Sequence, residues 1–179
     1  MTRDRRGWLI GTAAAAAAGL AGGWWWRQRT VPAPPPPAEE AALLARLRHH
    51  SWPAPPGQPA LDTAQWRERP LLVNFWATWC PPCVHELPAL DAASRQWPQV
   101  QVLGLALDSG EAVARFLTQT PVHYPIGVLG VAGLSLLRPL GNPNGGLPFS
   151  LLLSSDDRIL WRKLGATTPE ELARQLSQA

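Results

Sequence analysis

Leu71-Leu72-Val73-Asn74-Phe75-Trp76-Ala77-Thr78-Trp79-Cys80-Pro81-Pro82-Cys83 decides how the rest of the chain is read. The run Leu71–Phe75 is apolar and of strand length, too short for a lone helix, and predicts a buried strand. A tight turn follows, and Pro82 sits where a first helical turn accepts a residue without an N–H. Cys80 then stands at a helix N-terminus, with Cys83 one turn inside the same helix. The positive end of a helix dipole and its unpaired backbone donors favour a thiolate there. These are the only two cysteines in 179 residues. Their spacing is too close for a stapling disulfide, which leaves a reactive dithiol or metal ligation.

Upstream, Met1–Arg6 carries Arg3, Arg5 and Arg6 against Asp4, and Gly7–Trp26 follows without a charge. As a helix that run spans about 30 Å, the thickness of a hydrocarbon core. Trp24-Trp25-Trp26 before Arg27 and Arg29 resembles an interfacial belt. The expected layout is a cytoplasmic n-region over 1–6 and a transmembrane helix over 7–26, with the bulk of the chain on the extracytoplasmic side. Two rivals stay open. Gly19-Leu20-Ala21 could be a signal-peptide cleavage site, leaving a soluble periplasmic protein, and Arg5-Arg6-Gly7-Trp8-Leu9 loosely matches a twin-arginine signal. The net charge of +3 comes without a dense basic cluster, which argues against a nucleic-acid partner.

Residues 27–60 read as a Pro-rich stalk. Val31–Ala38 predicts a polyproline spacer, and Glu39–His50 a short helix with Leu43, Leu44 and Leu47 on one side. The domain proper is expected over 61–179. Asp62 or Thr63 caps a turn through Trp66; after the cysteine helix, Val100–Leu107 is a second buried strand. Asp108 and Glu111 stand at capping-box spacing ahead of Val113, Phe116 and Leu117. Val122–Val128 is weakly extended, Gly130–Leu140 helical, and Asn142-Pro143-Asn144-Gly145-Gly146 a loop. Phe149–Ser154 and Arg158–Leu164 form a hairpin around Ser155-Asp156-Asp157. A last helix has Thr168 as cap, Pro169 first and Glu171 closing the box. The sum is an α/β fold, one mixed central sheet with helices on both faces.

Trp79-Cys80-Pro81-Pro82-Cys83 after an apolar strand, together with Leu147-Pro148 ahead of a hairpin and final helix, resembles the thioredoxin fold. The nearer resemblance is to the membrane-anchored TlpA/ResA-like branch of bacterial thiol–disulfide oxidoreductases, over about Leu61–Ala179. The resemblance implies that Pro148 is a cis-proline facing the dithiol and that the backbone of Leu147 pairs with a bound substrate chain. Relatives mostly carry Thr or Val before this proline, so Leu147 is a departure. Cytosolic thioredoxins place an aspartate where this chain has Asn74, which cannot titrate. Glu86 is the expected replacement: Cys83, Glu86, Leu90, Ala93 and Trp97 share one helical stripe, and a core-side carboxylate has a raised pKa suited to proton transfer.

The expected chemistry is thiol–disulfide exchange with Cys80 as nucleophile, Cys83 as resolving thiol and Glu86 as proton relay, needing no cofactor. Trp79 belongs to the apolar docking surface, Trp76 to the core, His85 to the solvated face, and Pro88 kinks the helix. The leading function is an extracytoplasmic reductase of protein disulfides, for example in cytochrome c maturation or at copper-site cysteines. Its partners are a disulfide-containing protein substrate and a membrane electron donor that re-reduces the dithiol. A disulfide-forming oxidase and a Cu(I)-binding module using Cys80, Cys83 and His85 are the competing readings.

Overall fold

The computed structural model describes residues 37–59, 61 and 66–179, so the expected membrane span at 7–26 and the capped turn at 62–65 lie outside the described residues. The strands among them are β1 (Leu71–Trp76), β2 (Gln101–Ala106), β3 (Ile126–Val128), β4 (Phe149–Leu153) and β5 (Ile159–Leu164). Helices α1 (Ala38–His49), α2 (Pro81–Gln96), α3 (Gly110–Gln119) and α4 (Pro169–Leu176) and a 3-10 helix over Val131–Leu137 accompany them. The sheet order is β3-β2-β1-β4-β5. Strands β1, β2 and β3 are parallel, while β4 runs antiparallel to β1 and β5 to β4, so the sheet is mixed.

Position in the sheet explains why β1 is apolar. It is the central strand, buried at all six positions, and a strand covered on both faces cannot alternate with polar residues as an exposed one does. Leu72 and Trp76 point to one face, where Cys83, Leu87 and Leu90 of α2, Val113 and Leu117 of α3, and Leu172 and Leu176 of α4 cover them. Leu71, Val73 and Phe75 point to the other, beneath Leu44 and Leu47 of α1, Trp52, Trp66, Leu137 and Leu140. Helices therefore lie on both faces, as expected.

Of the expected stalk over residues 27–60, the part before Pro37 lies outside the described residues, and the described part is not a free spacer. From Ala38 onward the chain is built into the domain, because the second face of the sheet needs a cover and α1 supplies it. Leu44, Leu47 and Trp52 are buried in that face, and the Val128 N–H donates to the Pro53 carbonyl at 2.7 Å. Arg48 is the deepest tie, 2% exposed. Its guanidinium donates to the carbonyls of Trp66 (2.6 Å), Arg69 (2.7 Å) and Ser154 (2.7 Å) and to the Asp157 carboxylate.

Four further expectations change in detail. The region 122–128 is extended only over Ile126–Val128, and 130–140 winds as a 3-10 helix over Val131–Leu137. Helix α3 is capped by Ser109, whose Oγ accepts the Ala112 N–H at 3.2 Å; Asp108 is engaged instead by the Thr78 hydroxyl and the Ser109 N–H. In α4 Thr168 caps as expected, but Glu171 turns its carboxylate to Lys163 Nζ rather than closing the box. In both cases a carboxylate facing a partner from another element leaves its local role.

Candidate active site

The register of the sheet sets one polar row into the face beneath α2. Asn74 pairs with Gly104 on one side and Ser150 on the other, and Ser150 pairs with Lys163. Gly104 has no room for a side chain. A Cβ there would lie 3.1 Å from the Tyr124 ring and 3.2 Å from Trp76 Nε1, and closer still to Ile126. That close approach brings two aromatic rings over the sheet beside Asn74.

Helix α2 follows β1 after a four-residue turn, which places the dithiol beyond the carboxyl end of the central strand. Cys80 is its N-cap, and Pro81 and Pro82 occupy the first turn. The turn leading to it is held by the Cys80 N–H on the Ala77 carbonyl (3.2 Å) and by Thr78 on Asp108. Cys80 and Cys83 are joined in a disulfide. The Cys83 N–H donates to Cys80 Sγ at 3.3 Å, the donor that would stabilise a thiolate after reduction. No acidic residue sits in the first turn of α2, so no carboxylate competes for its positive end. Cys80 is 6% exposed and Cys83 0%, so only Cys80 offers any surface to a second molecule.

Glu86, one turn beyond Cys83 on the same helix stripe, is 2% exposed. Its Oε1 accepts from Asn74 Nδ2 at 2.6 Å and its Oε2 from the Thr167 N–H at 2.8 Å. Asn74 Nδ2 is also 3.0 Å from Ser150 Oγ. Burial pushes the Glu86 carboxyl above its ordinary value; the Thr167 and Asn74 donors and the Lys163 charge offset this only in part. Asn74 thus still serves the site, as an amide that orients the carboxylate rather than as an acid. Asn74 Oδ1, Thr167 Oγ1, Trp76 Nε1 and Tyr124 Oη make no hydrogen bond within the described residues, so the Glu86 surroundings hold polar groups in reserve.

The remaining candidates are placed as follows. The Leu147–Pro148 peptide bond is cis. Pro148 is buried, and Leu147 packs against the cluster that contains Cys80 and Cys83. Trp79 is 58% exposed, a large apolar ring in solvent next to Cys80 in the chain. Trp76 is in the core. His85 is exposed, and α2 continues through Pro88 to Gln96. Among the described residues no group of three or more His, Cys, Asp or Glu side chains could hold a metal ion. Thr167, Lys163 and the Thr78–Asp108 pair were not predicted. Thr167 meets Glu86 across 81 residues, a contact that no local pattern announces.

The raised carboxyl makes a prediction with a definite sign. A group whose folded pKa lies above its unfolded value stabilises the fold most at low pH, and that contribution is lost as pH rises through the folded pKa. Glu86→Gln removes the buried charge, and Asn74 can rotate to turn Oδ1 toward the new amide. The variant should melt at the same or higher temperature than the wild type at pH 7.5, the gap closing as pH falls toward 4.5. Its dithiol should resolve mixed disulfides about 100-fold more slowly, the low end of general-base contributions. Thermal melts across pH and stopped-flow exchange measure the two effects.

A reachable first cysteine at a helix N-terminus, a shielded second and a buried carboxylate behind them define a thioredoxin-like protein. Residues 54–176 match the redoxin family, and the chain belongs to it. It is 30% identical over 111 residues to the thiol-disulfide oxidoreductase ResA of Bacillus thuringiensis (strain Al Hakam), a match covering 60% of this chain and 62% of that protein. The chain thus spans under two thirds of that relative's length. Among solved structures, a thioredoxin-related protein from Neisseria meningitidis serogroup B is 27% identical, with a TM-score of 0.59 over 70% of this chain and 96% of that one. A secreted Mycobacterium tuberculosis disulfide oxidoreductase, homologous to E. coli DsbE, shares the fold. There the TM-score is 0.60 and the identity 20%, over 75% of this chain and 98% of that one. The resemblance to ResA-like proteins read from the cysteine motif is thus matched by whole-domain similarity.

Proposed function

We propose that the chain is an extracytoplasmic thiol–disulfide oxidoreductase that reduces protein disulfides through Cys80 and Cys83. The observation that carries this reading is the asymmetry of the pair, 6% exposed against 0%, at the start of a helix with no acid in its first turn. In the reduced protein the Cys80 thiolate attacks one sulfur of a substrate disulfide, and the other substrate sulfur leaves as thiolate and takes up a proton. Cys83, its proton passed to Glu86, then attacks Cys80 Sγ and releases the second substrate thiol. Two electrons pass from protein to substrate, and the Cys80–Cys83 disulfide remains for a donor to reduce. Trp79 and Leu147 line the path of the incoming chain, with Leu147 beside Pro148.

The reducing direction is supported by the donor count. Pro81 and Pro82 have no N–H, so the Cys83 amide is the one backbone donor found at Cys80 Sγ among the described residues. Fewer donors stabilise the thiolate less, and a less stable reduced form is a better reductant. The charge-free run Gly7–Trp26 between arginines supports a membrane anchor with the domain on the periplasmic side, near a membrane electron donor. ResA-type relatives support the activity, and cytochrome c or copper-site cysteines are fitting substrates for an exported reductase.

The test uses the full chain expressed in bacterial cells. It should sediment with membranes, resist alkaline extraction, and, once purified in detergent, equilibrate with glutathione buffers at a Cys80–Cys83 potential well below about −180 mV. A potential near about −120 mV would assign the oxidase direction instead. Recovery in the soluble fraction would overturn the anchor.

A further inference from the structure

The stretch Asn142–Gly146, read from sequence only as a loop, does more than connect. Asn142 is 1% exposed, an unusual depth for an amide. Its Nδ2 donates to the Gly146 carbonyl at 2.7 Å and its Oδ1 accepts the Gly146 N–H at 3.1 Å. One side chain therefore holds both backbone groups of the residue just before Leu147. Asn142 is itself fixed, its N–H on the Leu137 carbonyl at 2.9 Å and its carbonyl accepting the Gly145 N–H at 3.2 Å. Gly145 closes this turn at φ +62°, in the left-handed region where a glycine costs little. On the far side of Leu147, the Pro148 carbonyl accepts the Gly165 N–H at 2.8 Å. Between these two anchors Leu147 alone keeps its N–H and C=O without a hydrogen bond among the described residues.

The geometry points to Asn142 as the positioning residue that presents the Leu147 backbone as a ready edge for an extended substrate segment. This rests on the reading that the protein exchanges disulfides with polypeptides. A chain lying along Leu147 adds one short strand, and its affinity comes from main-chain hydrogen bonds. Those bonds form at low cost only if the edge is already in place before binding. The amide of Asn142 meets that condition because it satisfies Gly146 in both directions, leaving Leu147 neither free to rotate nor internally paired. A small disulfide with no peptide backbone gains nothing from the edge.

The experiment compares wild type with Asn142→Asp and Asn142→Ala. The aspartate keeps the acceptor for the Gly146 N–H and loses the donor to the Gly146 carbonyl; alanine loses both. Single-turnover reduction is followed with two substrates, an extended synthetic peptide carrying a disulfide and hydroxyethyl disulfide. The expected result is a half-saturating peptide concentration raised about tenfold at a nearly constant limiting rate, the worth of one or two backbone hydrogen bonds. The rate with hydroxyethyl disulfide should change less than twofold by comparison. Equal losses with both substrates, or no loss with either, would overturn the role of Asn142 while leaving the oxidoreductase reading intact. A wild type that reduces neither substrate would remove that reading and this proposal with it. Should the variants not fold, amide exchange on the wild type decides. Gly146 should be protected before peptide is added and Leu147 only after; a freely exchanging Gly146 overturns the proposal.

Discussion

Cys83→Ala should turn the protein into a trap. With Cys80 reduced, the variant should attack a peptide disulfide at close to the wild-type rate and stop at the mixed disulfide, because no second thiol remains to resolve it. Cys80→Ser should form no adduct and should fall to the uncatalysed rate, since Cys83 is 0% exposed and meets no substrate. Non-reducing gels and intact-mass spectrometry after mixing with a disulfide peptide read both outcomes. The two variants differ by one sulfur each, so their opposite behaviour would follow from position alone. Adduct formation by Cys80→Ser would show that the nucleophile has been assigned to the wrong cysteine.

Arg48→Met should cost about 3–5 kcal/mol, the range for breaking one side of a buried ion pair. The loss strands the carbonyls of Trp66, Arg69 and Ser154, which lie in or beside the core and have the guanidinium as a partner. Asp157 is 26% exposed and can turn to water once the arginine is gone, whereas in Asp157→Asn the side chain keeps an oxygen for Arg48 Nε and three carbonyls still hold the guanidinium, so that change should cost less than Arg48→Met. Against a typical stability of 5–15 kcal/mol, the arginine substitution removes a large share and should lower Tm by about 10 °C or more. Urea unfolding of both variants measures the difference. A cost under about 1 kcal/mol for Arg48→Met would mean that α1 is an attachment to the domain and not part of it.

Both effects depend on contacts of very different sequence range. The dithiol was readable because its chemistry is local. A strand, a turn, two prolines and two cysteines within thirteen residues already imply a helix N-terminus with a thiol at it. Glu86 was readable by periodicity, since a stripe shared with Cys83, Leu90 and Ala93 must face what they face. The partners of Glu86 were not. Asn74 donates across 12 residues and Thr167 across 81, and each is an ordinary polar residue in its own neighbourhood. Arg48 shows the same limit, its partners lying 18 to 109 residues away. The helix that carries it looked like part of a stalk because a short amphipathic stretch does not say which surface covers its apolar side.

By itself the sequence determined the order of strands and helices, the class of sheet and the position of Cys80, Cys83 and Glu86 along one helix. These follow from hydrophobic period, proline geometry and helical spacing, which act within a few residues. Only the tertiary structure decided that α1 belongs to the core, that Asp108 and Glu171 leave their capping roles for distant partners, and that Asn142 and Gly165 hold the chain on either side of Leu147. Those outcomes depend on which polar groups meet when the sheet closes, because a buried donor or acceptor takes whatever partner packing brings to it.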